Sequence, residues 1–264
     1  MRASLIIALL AAGVSAQSPP PRPQFAEFEV ASIKPTPPGP AGRWIRMLSA
    51  NTFAAKNHTL KTLIAAAYNL NPRAILGGPV WIDTEHYDID ARTPGDLRPN
   101  LNEQMAMLRK LLADRFQLGI HREQKEMQAY AMSIAKTGEK LKESTVSPDN
   151  TPEGPPPLIF VVGPELVRLP GRYTTIGEFA SVLQRAALEY PVVDRTGLSG
   201  RYDFDLEFTP DETVFGGVLG KGPDNPTKPA LFAAIQEQLG LRLEPTKTAV
   251  DVVVVERAQR PSAN

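Results

Sequence analysis

Three histidines, His58, His86 and His121, are the side chains here that change charge near neutral pH without a special environment. They share no motif. No HExxH occurs and no two histidines stand four apart, so the helical zinc spacing is missing. The best-placed is His86. In HYDID, alternation puts His86, Asp88 and Asp90 on one strand face. Hard cations prefer oxygen ligands, so a weak Ca²⁺ or Mg²⁺ site is conceivable there. A solvated strand face is the simpler expectation, and no metal or cofactor is expected. His121 is followed by Arg122 and Glu123. To act as a general base it needs an orienting carboxylate and a nucleophile. Neither a GxSxG elbow nor an SxxK pattern is expected to supply one. Arg122 and Glu123 read more simply as cross-strand charge partners.

Trp44 and Trp81 are the only tryptophans, each beside a Gly/Pro loop. A tryptophan in a loop can anchor a ligand or partner; it also commonly plugs the end of a small core. The glycine pairs Gly77-Gly78 and Gly216-Gly217 fit neither GxGxxG nor GxxxxGK[ST], so they read as turns and not as phosphate cradles. Asp194-Arg195-Thr196-Gly197 reads as a turn in which Asp194 bonds the backbone downstream. Lys136, Lys140 and Lys142 read as a solvated stretch. Trp44, Trp81, His86 and His121 are therefore the binding candidates, and no catalytic residue is assigned.

The elements that must position these residues repeat. A helix begins at Thr59, with Leu60, Leu63, Ile64, Ala67 and Tyr68 on one face. A second begins at Thr175 with the capping box Thr175-x-x-Glu178. Each helix is followed by a turn and an alternating strand, YDID from Tyr87 and YDFD from Tyr202; Arg201 stands where the first copy has His86. Each strand is followed by another helix. The first is capped by Asn100 and Glu103 and expected to stop at Gly119; the second has Pro229 in its first turn and stops at Gly240. Each half is then expected to close with a hairpin, GIHREQKEMQAYAMSIAK and GLRLEPTKTAVDVVVVER, with Val252–Val255 in a sheet interior. Extra strands are expected at Ile45–Met47 or Phe53–Lys56, at Ile159–Val162 or Leu166–Leu169, and as an edge at Phe28–Ile33.

The expected fold is α+β: two tandem, similar units, each a small, mainly antiparallel or mixed sheet with two helices on one face. Residues 1–16 read as a signal peptide: Arg2, an apolar stretch Leu5–Ala12, and a small-x-small site at Val14-Ser15-Ala16. A Pro-rich segment follows over 17–42. The units span 43–143 and 158–264, joined by the Pro-rich linker 144–157. Prolines number 26 in 264 residues and cluster in these connections. Lys plus Arg and Asp plus Glu are equal at 29 each, a balance that favours no nucleic-acid partner. No segment after the leader reads as membrane-spanning.

The stretches FEVASIKP, TLKTLIAAAYNL, GGPVWIDTEHYDIDA, LLADRFQLGIHRE, PVVDRTGLSGRYDFDLEFTPD and EQLGLRLEPTKTAVDVVVVERAQRPSAN together resemble the exported "soil-associated" proteins expanded in Acidobacteria, a family of unknown function. The resemblance implies export, and it implies that similar modules sometimes follow membrane-bound sensor peptidases. It supplies no catalytic residue. A weaker architectural likeness is to the short N-terminal modules of secretins and TonB-dependent receptors, which bind other proteins. The resulting expectation is a periplasmic or extracellular binding module for a protein, peptide or glycan. The alternatives are a ligand-sensing domain acting with a sensor peptidase, and a hydrolase using Asp88, Asp90, Asp203 and Asp205 as acid and base.

Overall fold

The computed structural model describes residues 24–39, 42–146, 158–163, 165–217 and 219–261. The leader and most of the 144–157 linker lie outside them. The elements run β1 (Val30–Pro35), β2 (Trp44–Met47), β3 (Thr52–Thr59), α1 (Leu60–Tyr68), β4 (Ile75–Gly77), α2 (Trp81–Thr84), β5 (His86–Arg92), α3 (Leu101–Arg115) and β6 (Gly119–Ile134). They continue with β7 (Lys142–Glu143), β8 (Val161–Val162), β9 (Val167–Thr174), α4 (Ile176–Val182), β10 (Val192–Asp194), β11 (Tyr202–Phe208), α5 (Leu231–Ala234) and β12 (Leu241–Arg257). Both α4 and α5 are prolonged by one wider turn with i→i+5 bonding, Leu183–Ala187 and Ile235–Leu239. The class is α+β. Among the described residues no helix is long and apolar enough to cross a membrane.

Local sequence explains most starts and stops. The Thr59 side chain accepts the Thr62 N–H at the head of α1. Asn100 with Glu103, and Thr175 with Glu178, form complete capping boxes. The expected stop at Gly119 is displaced. α3 ends at Arg115, Gln117 takes the left-handed conformation, and Gly119 already opens β6. Pro229 likewise falls outside α5, whose N-cap is Ala230. Trp81 sits not in a loop but in the short helix α2.

Two four-stranded antiparallel sheets have the matching orders β1-β5-β3-β2 and β7-β11-β9-β8. Both members of each expected strand pair are present, and β1 is the expected edge. Each sheet carries a bulge at the same place. Asn57 (φ 58°) and Tyr173 (φ 53°) are left-handed, and their N–H groups donate to Asp88 and Asp203, at 3.0 and 2.8 Å. The shared Tyr-Asp signature thus has a structural reason: its aspartate holds a strained bulge in the neighbouring strand.

The expected terminal hairpins do not form. β6 and β12 are single strands of 16 and 17 residues that pair antiparallel with each other, from Leu241↔Ile134 to Arg257↔Gly119. Neither strand has an internal turn signal such as Asn-Gly, which leaves each free to run on. β10 adds to β6, and β4 to β12, both in parallel, completing a third sheet β10-β6-β12-β4. Each half therefore lends a strand to the other. Val253 and Val255 of β12 lie in the core under β3, β5, α1 and α3. Met132 of β6 lies in the core of the second half. The two halves do not close separately, which changes the expected picture of two units each with its own sheet. A buried polar clamp reinforces the join: Asn71 donates to the carbonyls of Gln184 and Leu188 at 2.6 and 3.2 Å, and Gln184 Nε2 donates back to Asn69 O at 3.0 Å.

Candidate functional site

In the first sheet, Phe53, Ala55, Tyr87 and Ile89 point into the core beneath the helices. Period-two alternation then sends Trp44, Lys56, Asp88 and Asp90 to the opposite, helix-free face. Trp44 stands across from Lys56 in the β2–β3 register. The Lys56 ammonium lies 2.7 Å from Asp90 and 3.7 Å from Asp88. Asp88 Oδ1 accepts from the Thr36 hydroxyl at 2.8 Å and from Asn57 N–H at 3.0 Å. Partial burial pushes the Asp88 carboxyl up, but those two bonds and Lys56 outweigh it and hold it below the usual carboxylate range. The Arg46 guanidinium lies 4.2 Å from the Trp44 ring centre.

Of these residues, Thr36, Trp44, Lys56 and Asp88 border an open groove of about 600 Å³. Its floor is Lys56 and Asp88. Trp44 and Gly42 form one side, and the loop after β1, Thr36 to Gly39, forms the other. His58 lies beside it in β3, 6 % exposed. Its Nδ1 is 3.1 Å from Thr62 Oγ1, while Nε2 has no hydrogen-bond partner among the described residues. Burial first, then the charge of Arg43, pushes its pKa down to about 3; the Trp44 backbone acts the other way, without pairing Nε2. The imidazole is neutral at physiological pH.

The four candidates read from the sequence do not meet. Trp44 forms a groove wall. Trp81 closes the end of the first core, stacked on Phe116 at 6.4 Å, edge-on to Tyr87 at 6.5 Å and covered by Arg260 at 5.2 Å. His86 is exposed, with Nδ1 3.2 Å from Asn57 O. His121 is exposed on β6, with Nδ1 2.8 Å from Glu256 and Nε2 3.7 Å from Glu123. Arg242 and Glu244 form the matching pair on β12 at 2.7 Å. The expected cross-strand charge pairing does not form at these two residues: Arg122 and Glu123 stand across from Val253 and Val252, and the Arg122 guanidinium sits 5.3 Å from the Tyr68 ring centre. Among the described residues no three His, Asp or Glu side chains are grouped to hold a metal ion. Within the expected solvated lysine stretch, Lys140 donates to Glu237 O at 2.7 Å. Asp194 accepts the Thr196 N–H at 2.8 Å, the turn expected from its sequence.

The carboxylates of the second sheet are likewise engaged. Asp203 holds Tyr173 N–H, Asp205 pairs with Arg172 at 2.7 Å, and Glu207 pairs with Lys228 at 2.8 Å and Arg168 at 3.0 Å. One spacing the sequence reading missed is Ser133-Ile-Ala-Lys136, the SxxK pattern. Ser133 is in β6 and Lys136 lies beyond its end, so no helical turn stacks the amine over the hydroxyl.

No curated protein and no solved structure matches the chain. A family model described as "Protein of unknown function (DUF3738)" matches residues 61–258, a span that takes in α1 from its second residue, both YD strands and the whole β6–β12 pair. The chain belongs to the DUF3738 family.

Proposed function

We propose that this protein is an exported, non-catalytic binding module that takes its ligand at the Trp44 groove. An asymmetry between the two similar sheets carries this reading. The features that recur in both serve the fold: the bulge, the aspartate that holds it, and a cation–carboxylate pair, Lys56–Asp90 in one and Arg172–Asp205 in the other. The equivalent face of the second sheet carries a groove of about 510 Å³ bordered by Val161, Arg168, Pro170 and Asp205, and among the described residues that border it there is no aromatic side chain to match Trp44. Ser144 stands where the first sheet has Thr36, and its hydroxyl accepts Val146 N–H at 3.4 Å instead of donating to the aspartate. A half-buried aromatic wall with a few convergent polar groups shares with ligand sites the combination of apolar surface and placed polar groups. The engagement of Asp88, Asp90, Asp203 and Asp205 in bulge bonds and ion pairs favours binding over acid–base hydrolysis. Export rests on the leader-like opening residues, and a periplasmic or extracellular site of action follows from it.

The test is photo-crosslinking in cells that make the protein, with a benzophenone amino acid placed at residue 44 and, as control, at residue 172 on the equivalent sheet face. Specific adducts at 44 alone are expected. Equal labelling at both positions, or none at 44, overturns the reading.

A further inference from the structure

We infer that the helix-free face of the first sheet, with the Trp44 groove at one corner, docks an acidic, extended segment of another protein; this rests on the binding reading above and names its ligand class. The strand register fixes which charges share that face. Lys34 stands across from Asp88, and Arg92 across from Val30. Arg46 stands across from Ala54, which is itself across from Asp90, and Lys56 stands across from Trp44. Residues opposite one another in a ladder project to the same side. The outward charges of the four strands are therefore Lys34, Arg46, Lys56 and Arg92 against Asp88 and Asp90, and His86 adds only to the positive side. Both carboxylates are already engaged. Asp90 lies 2.7 Å from Lys56, and Asp88 lies 3.7 Å from it while accepting from Thr36 and Asn57. Lys34, Arg46 and Arg92 are exposed, and none of them has a carboxylate of the described residues within ion-pair distance. Arg43, exposed just ahead of β2, adds a further cation.

The second sheet is balanced instead. Its strands set Lys142, Arg168 and Arg172 against Asp203, Asp205 and Glu207, and both arginines are paired, Arg168 with Glu207 at 3.0 Å and Arg172 with Asp205 at 2.7 Å. The fold thus does not demand the excess seen on the first sheet. Like charges gathered on one face repel, and the carboxylates of a partner relieve that repulsion. Spacing and apolar neighbours narrow the partner further. From strand separation and rise, Lys34, Arg46 and Arg92 are rooted roughly 12–16 Å apart. One small anion reaches one of them, whereas an extended chain bearing several carboxylates spans such a gap in about four or five residues. Apolar side chains lie among the cations. Val30 is 67 % exposed across from Arg92, Leu48 is 52 % exposed with its N–H bonded to Thr52 O at 2.7 Å, and Trp44 is half-buried. A protein segment brings apolar side chains for these and carboxylates for the cations; a uronate chain or a lipid headgroup brings charge alone. A single-stranded nucleic acid calls for successive stacking rings, and of Phe, Tyr and Trp the strands of this face present Trp44 alone.

The test uses the full mature chain and the fluorescence anisotropy of a labelled peptide of four Glu-Leu-Asp-Ser repeats. Its counterpart with Gln and Asn for the acids, oligogalacturonate, and vesicles of phosphatidylglycerol in phosphatidylcholine are the comparisons. At low salt the acidic peptide is expected to bind with Kd below ~1 mM, more weakly as salt screens the cations. The variant Lys34→Ser/Arg46→Ser/Arg92→Ser is expected to lose at least tenfold in affinity at unchanged melting temperature. Lys125→Ser/Lys136→Ser/Lys142→Ser removes the same charge away from this face and is expected to stay within twofold of native. Should the first variant melt early, Lys34→Ser alone makes the comparison, with an expected loss of about threefold. No binding of the acidic peptide, equal binding of its amide counterpart, the same loss in both triple variants, or a tighter hold on oligogalacturonate or vesicles at equal anionic charge each overturns the assignment. Residue-44 adducts are expected to map to an acidic segment. Adducts to a neutral or basic segment, with no binding of the acidic peptide, overturn the acidic ligand and leave the groove reading standing. No adduct and no peptide binding removes both.

Discussion

Burying an imidazole with one ring nitrogen unpaired leaves the folded protein poorer in protons than its unfolded chain. His58 has a folded pKa of about 3 against an ordinary 6.5. The unfolded state therefore binds more protons below pH 6.5, and stability falls with pH from there until both states are protonated near pH 3. At pH 5 the cost is about 2 kcal/mol relative to pH 7.5. Urea unfolding at the two pH values is expected to show that loss, and His58→Gln to remove most of it. The carboxyls with depressed pKa, Asp88, Glu85 and Glu207, add their losses further into acid, so the window between pH 5 and 7 isolates His58. The bulge aspartates give a second residue-scale test. Tyr173 is a left-handed non-glycine residue whose N–H is held by Asp203. Asp203→Ala is expected to lower stability by about 2 kcal/mol, the range for a hydrogen bond to a charged group, whereas the same change at exposed Asp224 should leave the urea midpoint nearly unmoved. The role of these aspartates was half-visible in the sequence. The repeated YD pair stood out, but the residue each one serves lies some thirty positions upstream, across a strand pairing that no local pattern specifies.

At the scale of elements, helix boundaries were the most legible part, because a cap is a contact between residues three apart. Thr59, Asn100 and Thr175 each do what their spacing implies. Strand partners were the least legible. β6 and β12 each looked like half of something, and a hairpin was the nearest completion; their actual partners are one another, at a separation only the folded chain reveals. The groove shows the same division. Trp44 and Lys56 face each other across one hairpin and could be placed by alternation, but Asp88 reaches them only through the β3–β5 pairing. Gly240 marks the entry to β12. Its φ is +65°, and a Cβ there would lie 2.1 Å from Gly138 O. Gly240→Ala is expected to cost about 3 kcal/mol or more, from the left-handed backbone and the clash together. Gly138→Ala keeps only the backbone term, since nothing lies within 4 Å of its Cβ, and should cost about 1 kcal/mol. Chemical denaturation of the two variants side by side separates space from conformation.

The molecule as a whole is joined by exchange. Val253 and Val255 complete the first core, Met132 enters the second, and the Asn71–Gln184 clamp is buried at the join. Burying each such side chain contributes about 1.5–3 kcal/mol, so a half without its partner loses a large share of a domain's net stability. Separately expressed segments 24–146 and 158–261 are each expected to fail as folded monomers by far-UV circular dichroism and size exclusion. Mixed at equal concentration, they are expected to regain a cooperative thermal transition. A cooperative, monomeric transition in either segment alone would show that the exchanged strands are dispensable.

The exchange also sets a clock on biogenesis. A ribosome delivers residues from the N-terminus onward, yet the first core lacks Val253 and Val255 until β12 has been made. Until then, β6 has its long pairing edge bare and the first hydrophobic interior has a gap in its wall. The nascent chain therefore cannot lock its early half and add the later one to a finished platform; both halves become complete together, once β12 is in place. Such a chain stays loose until β6 and β12 meet, and that pairing is the step on which the whole fold waits.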